Sequence, residues 1–149
     1  ALKWHMFRGG EIPDNPDDLY LATGVEDGHE NARTNRHTFR NKRAQYYWLL
    51  RDRCYKTWQA VEKGKYIDPD DLISFCSDIE SIDMLRSEVC RIPLKHNPSG
   101  LIQILTKPEM RQRDIQSPNM ADAVMMSWAN PMDLDDWGES TKPDTSWVV

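Results

Sequence analysis

Three observations predict an α/β domain. Apolar residues recur at helical spacing through "NRHTFRNKRAQYYWLLRDRCYKTWQAVEKG", residues 35–64. The mostly apolar run 101–105 follows the turn signal "NPSG" and reads as the second strand of a hairpin, buried on both faces. A further helical stripe, Met120, Ala121, Val124, Met125 and Trp128, comes after it. With 149 residues, 39% of them hydrophobic, the chain is large enough for one domain with a core.

Taken in order, residues 8–37 are rich in Gly, Pro, Asp and Asn and lack a sustained period, which predicts a long loop. Phe39, Arg43, Tyr46 or Tyr47, Leu50, Cys54, Trp58 and Val61 then mark a long amphipathic helix. Asn35 or Thr38 is its expected cap, and Gly64 its stop. Asp68 before Pro69 and Asp70 predicts another helix start, with Leu72, Ile73 and Cys76 as the apolar side. A short helix over "SIDMLRSEV" follows, then the hairpin "CRIPLKHNPSGLIQILTK" and a charged connection, "KPEMRQRDIQ". The last helix has Ser117 as expected N-cap and Pro118 at its first position, where the missing N–H costs nothing. Residues 129–149 are acidic and aperiodic, the composition of a flexible tail.

A net charge of −5 and a pI of about 5.3 mean that bulk electrostatics do not attract nucleic acid, so any such site must be a local basic patch. Three cysteines without a C-x-x-C pair point to reduced thiols, and the four histidines lack zinc-finger spacing. No apolar run of membrane-spanning length and no signal peptide occur, which reads as a soluble, intracellular protein. The opening "ALKWHMF" lacks Met, as expected for a piece of a longer chain or an expression scar.

Four groups of residues could carry chemistry. Arg40, Lys42 and Arg43 open the long helix, with Arg51 and Arg53 further along, and read either as phosphate contacts or as a solvated face. Arg43 falls near the apolar stripe, where an arginine usually needs a carboxylate partner. Tyr46, Tyr47, Trp48 and Trp58 suit base stacking, but aromatics at helical spacing are more often core. Lys107, Glu109, Arg111, Arg113 and Asp114 stand at the exit of a buried strand, a usual place for ligands, or on an exposed connector. Asp122 lies beside the apolar face of the last helix, either as a boundary residue favoured by the helix dipole or as a metal ligand.

In this order and spacing, "FRNKRAQYYWLLRD", "IDPDDLISF", an apolar strand ending in Lys107, and "SPNMADAVMMS" resemble the nuclease domain of large terminase subunits. These are the DNA-packaging motors of tailed bacteriophages. The resemblance implies a ribonuclease-H-like α/β fold, a sheet flanked by helices with a C-terminal catalytic helix. It also implies hydrolysis of double-stranded DNA by two cations, Mg²⁺ or Mn²⁺, held about 4 Å apart by carboxylates. By the same resemblance Asp122 is the last acidic metal ligand, and Lys107 a basic residue near the metals that neutralises a phosphate oxygen. Asn119 stands where relatives usually carry Asp, a departure from the metal pattern. Asn41 and Arg43 match the helix signature, with a structural or orienting role. Arg40, Lys42, Arg43, Arg111 and Arg113 are the implied DNA contacts.

The family's first two acids precede the region matching "FRNKRAQYYW", and Glu11, Asp14, Asp17 and Asp18 match neither. A G-x-x-x-x-G-K-[ST] loop is not found in the chain. The expectation is therefore the C-terminal part of a nuclease domain over residues 1–128, weak or inactive alone. The intact terminase would cut concatemeric DNA in the host cytoplasm, with the portal and the small subunit as partners and no membrane. Two other readings stay open. One is a non-catalytic module that docks DNA or another packaging protein such as the portal, suggested by the acidic tail with Trp137 and Trp147 together with the basic opening of the long helix. The other is a different ribonuclease-H-like enzyme, such as a resolvase or transposase.

Overall fold

The computed structural model describes residues 7–21 and 32–128. The expected tail, with Trp137 and Trp147, lies outside the described residues. Residues 8–37 are not wholly loop. They contribute a two-residue antiparallel pair, β1 (Leu19–Tyr20) with β2 (Arg33–Thr34), and a single helical turn, α1 (Asn35–Thr38).

The long helix starts later than expected. Phe39 leaves the helical path and pairs in parallel with Ile102, so that Arg40 N–H donates to Ile102 O and Ile102 N–H to Thr38 O. The helix proper, α2 (Lys42–Lys63), is capped by Asn41, whose side chain accepts the Ala44 N–H at 3.0 Å. Gly64 ends it in the left-handed conformation at φ +63°, as expected.

The acidic Gly/Pro segment before it completes the cap. Lys42 N–H donates to Glu11 O and Arg43 N–H to Gly9 O, while Gln45 N–H begins the helical ladder on Asn41 O. Each first-turn amide of α2 from Lys42 to Ala44 thus has a partner. Gly9 suits the close approach, because a Cβ there would stand 3.0 Å from Arg43 Cβ, a tight contact. Asp14 pins the same segment: its carboxylate accepts Tyr46 OH at 2.6 Å, and its backbone exchanges two hydrogen bonds with the Gln45 side chain.

The helix expected at Asp68 shortens to a 3₁₀ turn, Pro69–Asp71. Tertiary contacts to α2 take the backbone groups a longer helix would use. Ile73 N–H donates to Thr57 Oγ1, and Arg53 donates to the Asp70 and Leu72 carbonyls. The helix over "SIDMLRSEV" forms as α3 (Ile82–Cys90). The hairpin turns at "NPSG" with Gly100 at φ +67°, but its ladder is one antiparallel bridge, Leu94 with Ile104. Burial of the expected strand is confined to Ile104 and Leu105, while residues 101–103 stay partly exposed.

The charged connection contains a helix, α4 (Lys107–Gln112), closed by a capping box between Thr106 and Glu109 and anchored by fully buried Met110. The last helix, α5 (Asn119–Ser127), begins one residue later than expected. Pro118 holds the N-cap position, and the Ser117 hydroxyl donates to Asn119 Oδ1 instead of capping. Tyr47, Leu50, Ile104, Leu105, Met110, Ala121 and Met125 lie in the core between α2, α5 and the hairpin. Trp58 and Val61 are exposed, contrary to the stripe expectation, with Trp58 stacked on Tyr55. No helix among the described residues is long and apolar enough to cross a membrane.

Candidate active site

Asp122 is buried at 6% exposure, not at a surface boundary. It sits one residue past the N-terminal amides of α5, and its neighbours come from two other helices. From α2, Arg43 Nη2 reaches Oδ1 at 3.1 Å, and the Tyr47 hydroxyl donates to the same oxygen at 2.6 Å. From the first residue of α4, Lys107 Nζ lies 3.1 Å from Oδ2. Burial raises the Asp122 pKa, but the Tyr47 hydrogen bond, the Arg43 charge and hydrogen bond, and the Lys107 hydrogen bond outweigh it. The carboxyl is held below its ordinary value, ionised at neutral pH.

Local sequence explains how each side chain gets there. Arg43 and Tyr47 are four residues apart and share one face of α2. Arg43 Nη1 also donates to Leu105 O at 2.9 Å, so one guanidinium ties the strand end to the acid on α5. The Thr106–Glu109 capping box begins α4 at Lys107, with that side chain 47% exposed beside Asp122. Tyr47 is buried, and burial followed by its bond to the Asp122 carboxylate pushes its pKa up, so it stays a neutral donor.

The sequence-expected residues divide into two sets. Asp122, Lys107 and Arg43 come together; Asn119 is exposed and accepts from Ser117. Lys42 is engaged by the acidic segment, 2.8 Å from Asp14 and 3.6 Å from Glu11. Arg40, Arg111 and Arg113 are exposed. Arg51 pairs with Asp52, and Arg53 holds backbone carbonyls and covers the Trp128 ring. Tyr46 and Tyr47 are core residues rather than a stacking platform.

Sequence reasoning missed Tyr47 as a partner of Asp122, although its i, i+4 spacing from Arg43 was visible. It also missed Glu88 of α3, which accepts two N–H groups of α5 from 32 and 33 residues away. Among the described residues no group of three or more His, Cys, Asp or Glu side chains is placed to hold a metal ion. A cleft of about 250 Å³ beside α2 is lined mainly by apolar residues, Leu50, Val89, Ile92, Leu94 and Ile104 among them, and contains neither Asp122 nor Lys107.

A family model described as the terminase RNase H-like domain matches residues 14–130. The nuclease domain of the large terminase subunit gp2 of bacterial virus Sf6 is similar at 42% identity and a TM-score of 0.70, over 81% of this chain and 50% of that one. A mutant of that domain with manganese is 40% identical over 81% of this chain and 51% of that one, TM-score 0.69. Another with calcium is 40% identical over 81% of this chain and 50% of that one, also at 0.69. The chain spans about half the length of these solved domains. No curated protein matches it. A resolvase or transposase assignment gives way, and the chain belongs to the terminase RNase H-like nuclease domain family.

Proposed function

We propose that the domain to which this chain contributes is a divalent-metal-dependent endonuclease that cuts double-stranded DNA during packaging, with Asp122 one of its acidic groups. The supporting observation is the convergence of Arg43, Tyr47 and Lys107 on one buried carboxylate. Lys107 is half-exposed and can pair with a phosphate oxygen of bound DNA. Arg40, Arg111 and Arg113 are exposed cations for the same backbone, whereas Lys42 would first have to leave Asp14.

Solved relatives carry manganese or calcium, which favours a divalent cofactor, with Mg²⁺ or Mn²⁺ as the catalytic choice. The described residues do not fit a metal pair by themselves. They offer one carboxylate, with Oδ1 taken by Arg43 and Tyr47 and Oδ2 by Lys107. A pair of hard cations needs several oxygen ligands. Further oxygen ligands for such a pair would have to come from outside the described residues. Portal and small subunit are the proposed partners of the intact motor in the host cytoplasm.

Cleavage of supercoiled plasmid with Mg²⁺ or Mn²⁺ tests this reading. The 149-residue chain alone is expected to leave plasmid intact. The same chain within a complete nuclease domain is expected to nick it, and Asp122→Asn to abolish nicking. Robust nicking by the isolated chain, lost in Asp122→Ala, overturns the incomplete site; nicking by the complete domain that survives Asp122→Asn overturns the role of the acid.

A further inference from the structure

We propose that Glu88 is a positioning residue for Asp122, acting through the N-terminus of α5 without touching the carboxylate; the proposal rests on the reading of Asp122 given above. The first turn of α5 has no side-chain cap of its own. Pro118 occupies the N-cap without an acceptor side chain, and the Ser117 hydroxyl is spent on Asn119 Oδ1. Asn119 N–H donates to Ser117 O, and Asp122 N–H opens the helical ladder on Pro118 O at 2.8 Å. The two amides between them, Met120 and Ala121, both donate to Glu88 Oε2, at 2.8 and 2.9 Å. These are the two amides that a good N-cap side chain would satisfy. Here the acceptor is a carboxylate on another helix, so the bonds are charge-assisted and favoured by the dipole of α5.

The consequence for Asp122 follows from helix geometry. Asp122 is the next residue after the two captured amides, and each residue of a helix turns 100° and rises 1.5 Å. A first turn that frays or rotates therefore carries the carboxylate with it. Its partners tolerate little movement, because they stand on two other elements, with Tyr47 OH at 2.6 Å and Lys107 Nζ at 3.1 Å. Glu88 lies in the last turn of α3, which packs against α5, so its carboxylate transmits the placement of α3 to the acid.

Nuclear magnetic resonance of the 149-residue chain tests this by reading a hydrogen bond instead of cleavage. In the unmodified chain the Tyr47 hydroxyl proton is expected downfield and slow to exchange, with the Met120 and Ala121 amides protected. Glu88→Ala is expected to speed exchange of those amides about fivefold or more and to broaden or erase the Tyr47 signal, with α2 amides still protected. Glu88→Gln, which keeps a carbonyl acceptor, is expected to restore both. An unchanged Tyr47 signal in Glu88→Ala overturns the positioning role, and unchanged amide exchange overturns the cap itself. If Glu88→Ala unfolds the chain, Glu88→Asp decides: its acceptor is withdrawn by one methylene, so the Tyr47 resonance must shift, and an unshifted one overturns the proposal. Failure of the plasmid experiment with these spectral changes present removes the nuclease reading and leaves the Glu88–Asp122 coupling standing.

Discussion

Tyr47 donates its hydroxyl to Asp122 Oδ1 at 2.6 Å across 75 residues of sequence. This bond joins the second turn of α2, the longest helix among the described residues, to the buried acid of the last one. Tyr47→Phe keeps the ring in the core and deletes only the donor to a charged acceptor. The expected loss is about 1.5–3 kcal/mol of stability, read as a lower urea midpoint with an unchanged slope. An unchanged midpoint would show that the bond contributes nothing to the fold.

Arg43 works as a fork, with one arm on Leu105 O at 2.9 Å and the other on Asp122 at 3.1 Å. A lysine carries the charge but cannot present two fixed donors in one plane. Arg43→Lys is expected to destabilise by about 1–2 kcal/mol, and Arg43→Ala by about 3 kcal/mol, because the buried carboxylate then loses a partner cation. Equal stability of the Lys variant and the unmodified chain in chemical denaturation would contradict the forked role.

The two helix starts separate a real cap from an apparent one. Asn41→Ala removes an acceptor for the Ala44 N–H and should cost about 1 kcal/mol. Ser117→Ala, at the residue that reads as an N-cap in sequence, should stay within about 0.5 kcal/mol, since its hydroxyl serves only the exposed Asn119. Thermal melts of the two variants side by side would rank them, and a larger loss for Ser117→Ala would reverse the assignment.

Glu109 gives a pH dependence with a definite sign. The Lys95 hydrogen bond, then the bonds from Thr106, lower its pKa from 4.5 to about 2. A carboxyl depressed in the folded state stabilises fully above about pH 4.5, and the contribution disappears as pH falls toward 2. Glu109→Gln should therefore flatten the stability profile within that window and leave its shape at neutral pH unaltered. Denaturation midpoints taken every half pH unit would check it; an identical acid limb in both proteins would refute the pairing with Lys95.

Much of the architecture was legible because its causes are local. The stop at Gly64, the turn at "NPSG" and the helix "SIDMLRSEV" depend on backbone preferences within a few residues. The capping box of α4 was equally local, with Thr106 three residues before Glu109 and Pro108 between them, yet the charge of the segment concealed it. The helix expected at Asp68 failed for the opposite reason. Its start signal is genuine, since Asp68 accepts from Asp70 N–H, but Thr57 and Arg53 compete for the backbone that would continue it.

By itself the sequence determined the helical periods, the stops and turns, the order of segments that marks the family, and Asp122 with Lys107 as the residues to watch. The tertiary structure alone decided that Asp122 is buried, that Tyr47 and Arg43 share its Oδ1, and that Lys107 faces Oδ2. It also decided that Phe39 leaves the helix for Ile102, and that a glutamate of α3 caps α5. Periods, turns and glycine stops are set by backbone preference and burial over one or two turns, so they can be read along the chain. The partners of a buried charge are set by which elements pack together, and residues 32 to 79 positions apart leave no local trace of that meeting.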